Sequence, residues 1–251
     1  MTGRITEIWR HPIKAHGFEA LDSTEIRKGE TLPWDRIWAV THEGSKLNGN
    51  AWAPCMNFSR GAKAPHLMAI STTLDEATST VTLTHPTQGA VTFQPDEQAD
   101  VARFLDWIAP LMPDGRAAST GIIRATGQGM TDSSSASISL GNLATLRVLE
   151  QHLGQALDTR RFRINLWVEG LAPMEELEWL DKPVRLGEIQ ARARDHAITR
   201  CASTMANPET GKRDAETLTA MNDIWGHQDL GITLITENSG TLSVGDSVAQ
   251  E

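Results

Sequence analysis

The chain has 251 residues, with 23 Lys+Arg against 32 Asp+Glu and a formal net charge of -9. This length suits one large domain or two small ones around a real buried core. No apolar run is long enough for a membrane-spanning helix, and neither half carries the basic excess that a phosphate backbone requires, so neither a membrane nor a nucleic acid is expected as a partner.

In chain order, Arg4–Pro12, Leu21–Arg27 and Arg36–Thr41 are rich in Ile, Val, Trp and Thr and read as strands. Arg4, Glu7 and Arg10 interrupt the N-terminal apolar residues, so no signal-peptide core is built there. Ser79–Thr84 and Ala90–Gln94 flank His85-Pro86-Thr87-Gln88-Gly89 and predict a hairpin. Asp96 is placed to cap a helix whose Val101, Phe104, Leu105 and Ile108 share one face. Thr126–Ser137 is Gly- and Ser-rich, a linker or site loop. A second helix is predicted over Asn142–Leu153, strands over Arg163–Val168 and Val184–Ala193, and a third helix over Ala215–Trp225. Gly231–Thr236 and Thr241–Val248, joined by Asn238-Ser239-Gly240, predict a closing hairpin. This order is strand-rich with irregularly placed helices. It disfavours Rossmann and TIM architectures and predicts a mainly β fold with a few helices, built on a β-barrel.

The chemistry-bearing residues are sparse. The two cysteines, Cys55 and Cys201, make neither a disulfide framework nor a zinc module, and the expected setting is cytoplasmic with reduced thiols. Cys201 follows Arg200 where an apolar strand gives way to a polar loop, a placement that suits a thiolate and a soft metal; a buried cysteine acting as a small hydrophobe would give the same pattern. Cys55 has no charged sequence neighbour and reads as a structural residue. If 161–166 is a strand, Arg161, Arg163 and Asn165 share a face and present a fork of donors to a phosphate or a heterocycle, or else simply to solvent. Lys14 and Arg36 are single charges near strand ends, and His196 reads as a partly buried strand residue. No HExxH, GxGxxG, Walker or GxSxG motif occurs.

The order of these pieces resembles the MOSC family, named for the C-terminal domain of molybdenum cofactor sulfurase, whose members include the mitochondrial amidoxime reducing component. The resemblance is carried by Arg161-Phe162-Arg163-Ile164-Asn165-Leu166, by Glu176 and Trp179 leading to Leu186-Gly187, by Thr199-Arg200-Cys201 with Asn207-Pro208 and Thr210-Gly211, and by Gly240–Asp246. Pro12-Ile13-Lys14 and Asp35-Arg36-Ile37-Trp38 look like the β-rich domain that precedes it.

The resemblance implies a MOSC β-barrel of the pyruvate-kinase-barrel-like kind over residues 96–251, after a smaller β-rich N-terminal domain over residues 1–95. It implies a molybdenum–molybdopterin cofactor, with Cys201 as metal ligand and catalytic residue. Contacts to the cofactor fall on Lys14, Arg36, Arg163, Asn165 and Arg200, and more loosely on Asp132 and Ser134. Where such relatives have Lys-Ser, this chain has Lys14-Ala15. The implied activity is reduction of N-hydroxylated or N-/S-oxide compounds, small-molecule substrates. The alternatives are a carrier that holds the cofactor or a persulfide on Cys201, and a MOSC-like fold that has lost the cofactor. Two cysteines cannot hold an iron–sulfur cluster, and no nicotinamide or flavin motif is present, so electrons are expected from a separate donor, a ferredoxin or flavoprotein reductase.

Overall fold

The computed structural model describes residues 2–251, with Asp195 described through its backbone alone. Seven strands close into a barrel in the order Leu166–Glu169, Ile138–Asn142, Asp229–Thr236, Ile189–Thr199, Pro183–Leu186, Ser247–Gln250 and Gly3–Arg10. Gly3–Arg10 then returns to Leu166–Glu169, pairing Arg4 with Glu169 and Ile8 with Leu166. The alternation of apolar residues along each strand fills the interior: Ile5 and Ile8, Ile138 and Leu140, Leu166 and Val168, Ile232 and Leu234 are all buried in one cluster. Ile138–Asn142 and Leu166–Glu169 run parallel, and the helix Leu143–Leu153 makes the connection between them. Asn142 caps that helix through its side chain, and Gly154 ends it in the left-handed conformation.

Two three-stranded sheets lie outside the barrel. Ser71–Asp75, Thr80–His85 and Gly89–Phe93 form an antiparallel sheet, in which the second and third strands make the expected hairpin. Ile13–Lys14, Trp38–His42 and Ser119–Arg124 form the other. The helix Gln98–Ile108, which follows the expected boundary at 95, packs Phe104 and Ile108 into one core with Val81, Leu83 and Phe93. The third helix, Thr217–Trp225, packs with Leu143–Leu153 through Met221, Leu146 and Leu149. Among the described residues no helix is long and apolar enough to cross a membrane.

Three local expectations are corrected. Asp96 does not cap the first helix: its carboxylate accepts from Trp38 Nε1 at 2.9 Å and pairs with Arg124, and Glu97 occupies the cap position without a side-chain bond. The C-terminal segments do not form a hairpin. Both edges of Asp229–Thr236 are taken by Ile138–Asn142 and Ile189–Thr199, so Gly240–Ser243 pairs instead with Ser23–Ile26. Finally, 161–165 is not a strand. Thr159–Phe162 is a short 3-10 turn, Arg163 turns left-handed at φ 51°, and the strand starts only at Leu166. Arg161 is therefore separated from Arg163 and Asn165, and its guanidinium pairs with Asp214 at 2.7 Å.

Candidate functional site

A cavity of about 510 Å³ opens where the Lys14 and Arg36 segments meet the barrel strands and the loop after Thr199. Lys14, Arg36, Asp132, Arg163, Asn165, Arg200 and Cys201 all line it. Residues far apart in sequence are thus brought to one cavity. Ser134 is exposed and is not among the lining residues; its neighbour Ser133 is.

Lys14 ends the strand Ile13–Lys14 and is buried, with its Nζ donating to Met130 O at 2.7 Å and to Asp132 Oδ1 at 2.6 Å. Burial lowers its pKa, and the Asp132 carboxylate opposes that shift. Arg36 sits in the left-handed region at φ 53°, where an L side chain is strained. The strain is held in place from two sides: Arg36 Nη1 pairs with the buried Asp35 carboxylate, and Arg36 Nη2 donates to Arg163 O at 2.7 Å. Asp35 also accepts from the backbone N–H of His11 at 2.8 Å. Burial opposes its ionisation, but Arg36 and His11 hold the carboxyl well below the usual range. The Thr126–Ser137 loop presses on the same turn. A Cβ at Gly129 would lie 2.3 Å from Asp35 O, so only glycine lets the loop approach and Met130 N donate to Arg36 O at 2.8 Å.

The two arginines on the barrel side differ in what they do. Arg200 donates through Nε to Leu230 O at 2.8 Å and through Nη1 to Phe162 O at 3.0 Å, while Nη2 also reaches Leu230 O. Every guanidinium nitrogen is thus engaged by backbone. Gly231 permits this, because it has φ +81° and a Cβ there would lie 2.6 Å from Leu140 O and 3.1 Å from Arg200 Nη2. Arg163 donates through Nη1 to Gly17 O at 3.1 Å, but its buried Nη2 has no partner. Burial pushes both arginines down to about 9, which leaves them cationic at neutral pH; Arg36 adds to the shift, and the Cys201 and Asp132 charges oppose it at Arg200.

Asn165 pins the cavity floor. Its Oδ1 accepts from Ser139 Oγ at 2.8 Å and its Nδ2 donates to Trp9 O at 3.1 Å. Opposite Ser139 across the strand pair stands Thr233, a lining residue whose buried hydroxyl has no partner. Cys201 is exposed at the cavity, its Sγ 3.2 Å from Ser203 Oγ, directly after the strand Ile189–Thr199. That strand loses register against Asp229–Thr236 on either side of Ala197, so Ala197, Ile198 and Thr199 turn toward the cavity.

Sequence reasoning missed several contributors. Cys55 is not an isolated structural residue: it lines the same cavity and accepts from Arg60 Nη1 at 3.1 Å. The cation lies five residues away, beyond a 3-10 turn, where no sequence neighbour announces it. Thr233 and Ser139 gave no signal at all. Asp35 was visible only as the neighbour of Arg36. His196 is exposed and lines the cavity, rather than being partly buried.

The model of the MOSC N-terminal beta barrel domain matches residues 2–120, and that of the MOSC domain matches residues 128–249. The chain belongs to the MOSC family. A comparison with curated proteins found no match. Among solved structures, this MOSC chain is similar to the YuaD protein from Bacillus subtilis at 11% identity and a TM-score of 0.45, covering 99% of this chain and 94% of that one. It is also similar to YiiM from Geobacillus stearothermophilus at 12% identity and a TM-score of 0.34, covering 45% of this chain and 53% of that one. The closed barrel and three helices are those of a mainly β MOSC protein, and the cavity takes residues from both matched regions.

Proposed function

We propose that this chain is a molybdenum-cofactor-binding oxidoreductase that reduces N-hydroxylated or N-/S-oxide compounds with electrons from a separate donor protein. The observation that carries this reading is the convergence of an exposed thiol, Cys201, with Lys14, Arg36, Arg163 and Arg200 on one cavity. The lining fits the group: a thiolate is a soft ligand suited to a redox metal, and the cations suit a phosphate. Two buried groups in the lining, Arg163 Nη2 and Thr233 Oγ1, lack partners within the protein, as donors awaiting a ligand would.

When bound, the cofactor supplies a two-electron redox centre. The chain's own residues do the holding. Cys201 offers the ligand sulfur, and Lys14, Arg36 and Arg163 offer donors to the anionic and heterocyclic edges. Arg200 fixes the Cys201 loop against Leu230 and Phe162 and keeps a cation beside the sulfur. Asp132 holds Lys14 at the rim. For an N-hydroxylated substrate the overall change breaks the N–O bond, consumes two electrons and two protons, and releases water with the amine. The exposure of Cys201 favours a carrier as the second reading, one that passes on the cofactor or a sulfur atom.

Elemental analysis of freshly purified protein tests the first reading. The parent should contain molybdenum, Cys201→Ser should lose it, and Cys55→Ser should keep it. Reduced viologen dye should drive reduction of an N-hydroxylated model compound, whereas NADH alone should not. Equal molybdenum in Cys201→Ser and the parent would refute the ligand assignment. Molybdenum-loaded protein that turns over no N-hydroxy, N-oxide or S-oxide compound with the dye would favour the carrier.

A further inference from the structure

We propose that the rim of this cavity is the docking face for an acidic electron-donor protein. The donor's role rests on the oxidoreductase reading above; the binding itself does not. Two segments meet beside the cavity, the turn around residues 60–66 and the loop around residues 206–213. Gly61 and Ala62 line the cavity, and Arg213 Nη2 donates to Ala62 O at 2.8 Å. A Cβ on Gly211 would lie 2.6 Å from His66 Cα, so the two segments are in close backbone contact.

These segments carry Lys63, Lys212 and Arg213, all exposed, next to Arg60 on the cavity wall. Among the described residues none of the three forms an ion pair; the one side-chain bond is that of Arg213 to a carbonyl. The acids on the same loop are already taken, Glu209 by Arg160 and Asp214 by Arg161. A chain with a net charge of -9 therefore gathers un-neutralised positive charge at the mouth of its candidate site. Like charges held together repel and contribute nothing to folding, but they raise the encounter rate of an oppositely charged partner.

The patch also has an apolar anchor. Met56 is 67% exposed, one of only two large hydrophobic side chains exposed among the described residues. It follows Cys55, which lines the cavity and accepts from Arg60. A flexible methionine beside a charged rim has the make-up of a transient protein interface. A small anionic substrate would be met by the cations inside the cavity. Lys63, Lys212 and Arg213 are not among its lining residues, so they stand outside the space a small substrate would fill.

The test measures binding of the full chain to an acidic [2Fe–2S] ferredoxin and an acidic flavodoxin, with cationic cytochrome c as the opposite-charge control. The parent should bind at least one acidic protein at low salt, lose about tenfold or more in affinity at ten times that salt, and ignore cytochrome c. Lys63→Glu/Lys212→Glu/Arg213→Glu should slow association about tenfold or more with little change in dissociation, and leave dye-driven turnover within about twofold of the parent. Met56→Ser, a surface change that alters no charge, should weaken binding by a faster dissociation. Failure of both acidic proteins to bind the parent, or parent-like binding by the triple variant, overturns the proposal. So does a rise in KM for anionic substrates in the dye assay with donor binding unchanged, which would make the rim a substrate funnel. Binding needs neither metal nor turnover, so intact docking without any dye-driven reduction would condemn the oxidoreductase reading alone.

Discussion

Acidification should destabilise this protein through two buried histidines before Asp35 and Asp132 titrate. His11 and His16 are buried beside Lys14, and burial is the main reason both pKa values fall, to about 3 and about 4 respectively. Arg163 adds to both shifts, while Asp35 opposes the shift at His11 and the Lys14 carbonyl opposes it at His16. In the unfolded chain both titrate near 6.5, so below that pH the unfolded state takes up protons that the folded state refuses. Stability is therefore complete above about pH 7 and falls as the pH drops toward 4. At pH 5 each histidine costs about 2 kcal/mol, and the pair about 4 kcal/mol, against a typical total of about 5–15 kcal/mol. His85 is lowered by burial too and adds in the same direction. Asp35 and Asp132 have lowered pKa values, so their contribution is lost only below about pH 4, outside this window. Urea unfolding at pH 7 and pH 5 checks this: the midpoint should fall by roughly 1.5–2 M. His16→Gln should remove close to half of that fall, since glutamine takes up no proton. A midpoint that barely moves between pH 7 and pH 5, or a variant with the full parental slope, would refute the reasoning.

Arg163→Ala and Arg200→Ala should separate holding from folding. Arg163 has a free buried donor, so its loss should cost about tenfold or more in cofactor retention, read as molybdenum per chain after dialysis, with stability changed little. Arg200 has every nitrogen on a backbone carbonyl, so its loss should lower stability by about 2–4 kcal/mol in the same urea assay. Asp35→Ala removes the buried partner of Arg36 and the acceptor for His11 N, and should cost about 3–5 kcal/mol; a loss below about 1 kcal/mol would show that Arg36 is not held through Asp35.

What was legible in the sequence follows from how local each signal is. The helices Leu143–Leu153 and Thr217–Trp225 announced themselves through apolar spacing, the first also through the terminal Gly154, because helix periodicity is a property of one segment. The hairpin of Thr80–His85 with Gly89–Phe93 was legible for the same reason. Gly240–Ser243 misled because a turn signal reports only the reversal of the chain, whereas pairing depends on which sheet edges remain open. Arg161–Asn165 misled because alternation in sequence does not exclude a turn; a left-handed Arg163 is favoured only once Arg36 Nη2 is there to take its carbonyl. Lys14, Arg36, Asn165, Arg200 and Cys201 were identified through motifs that resemble a family, not through their chemistry. Thr233, Ser139 and Cys55, which no motif marks, were reached only through the folded chain.

The two matched regions do not behave as separate pieces around the site. Residues 2–120 contribute the strand Gly3–Arg10, and without it the barrel has two unpaired edges, Leu166–Glu169 and Ser247–Gln250. The same residues contribute Ser23–Ile26, the partner of Gly240–Ser243. In return, the barrel side gives Arg163 O to Arg36, and Asp132 and Met130 O to Lys14. Barrel closure and site assembly are thus one event. Trp9 O accepts from Asn165 Nδ2, and Trp9 N donates to Asn165 O at 2.7 Å, so the strand that closes the barrel also fixes the residue at the cavity floor. Lys14 is four residues beyond Arg10, too few to let it reach the cavity from an unclosed strand at no cost in order. The cations of the N-terminal part therefore face Cys201 only in the closed molecule, and a buried charge that lost its partners would oppose the closed state. The coupling accounts for an arrangement that stability alone would not select: Lys14, Arg36, Arg163 and Arg200 packed around one space, with Asp35 and Asp132 the only carboxylates among the described residues that directly contact the group.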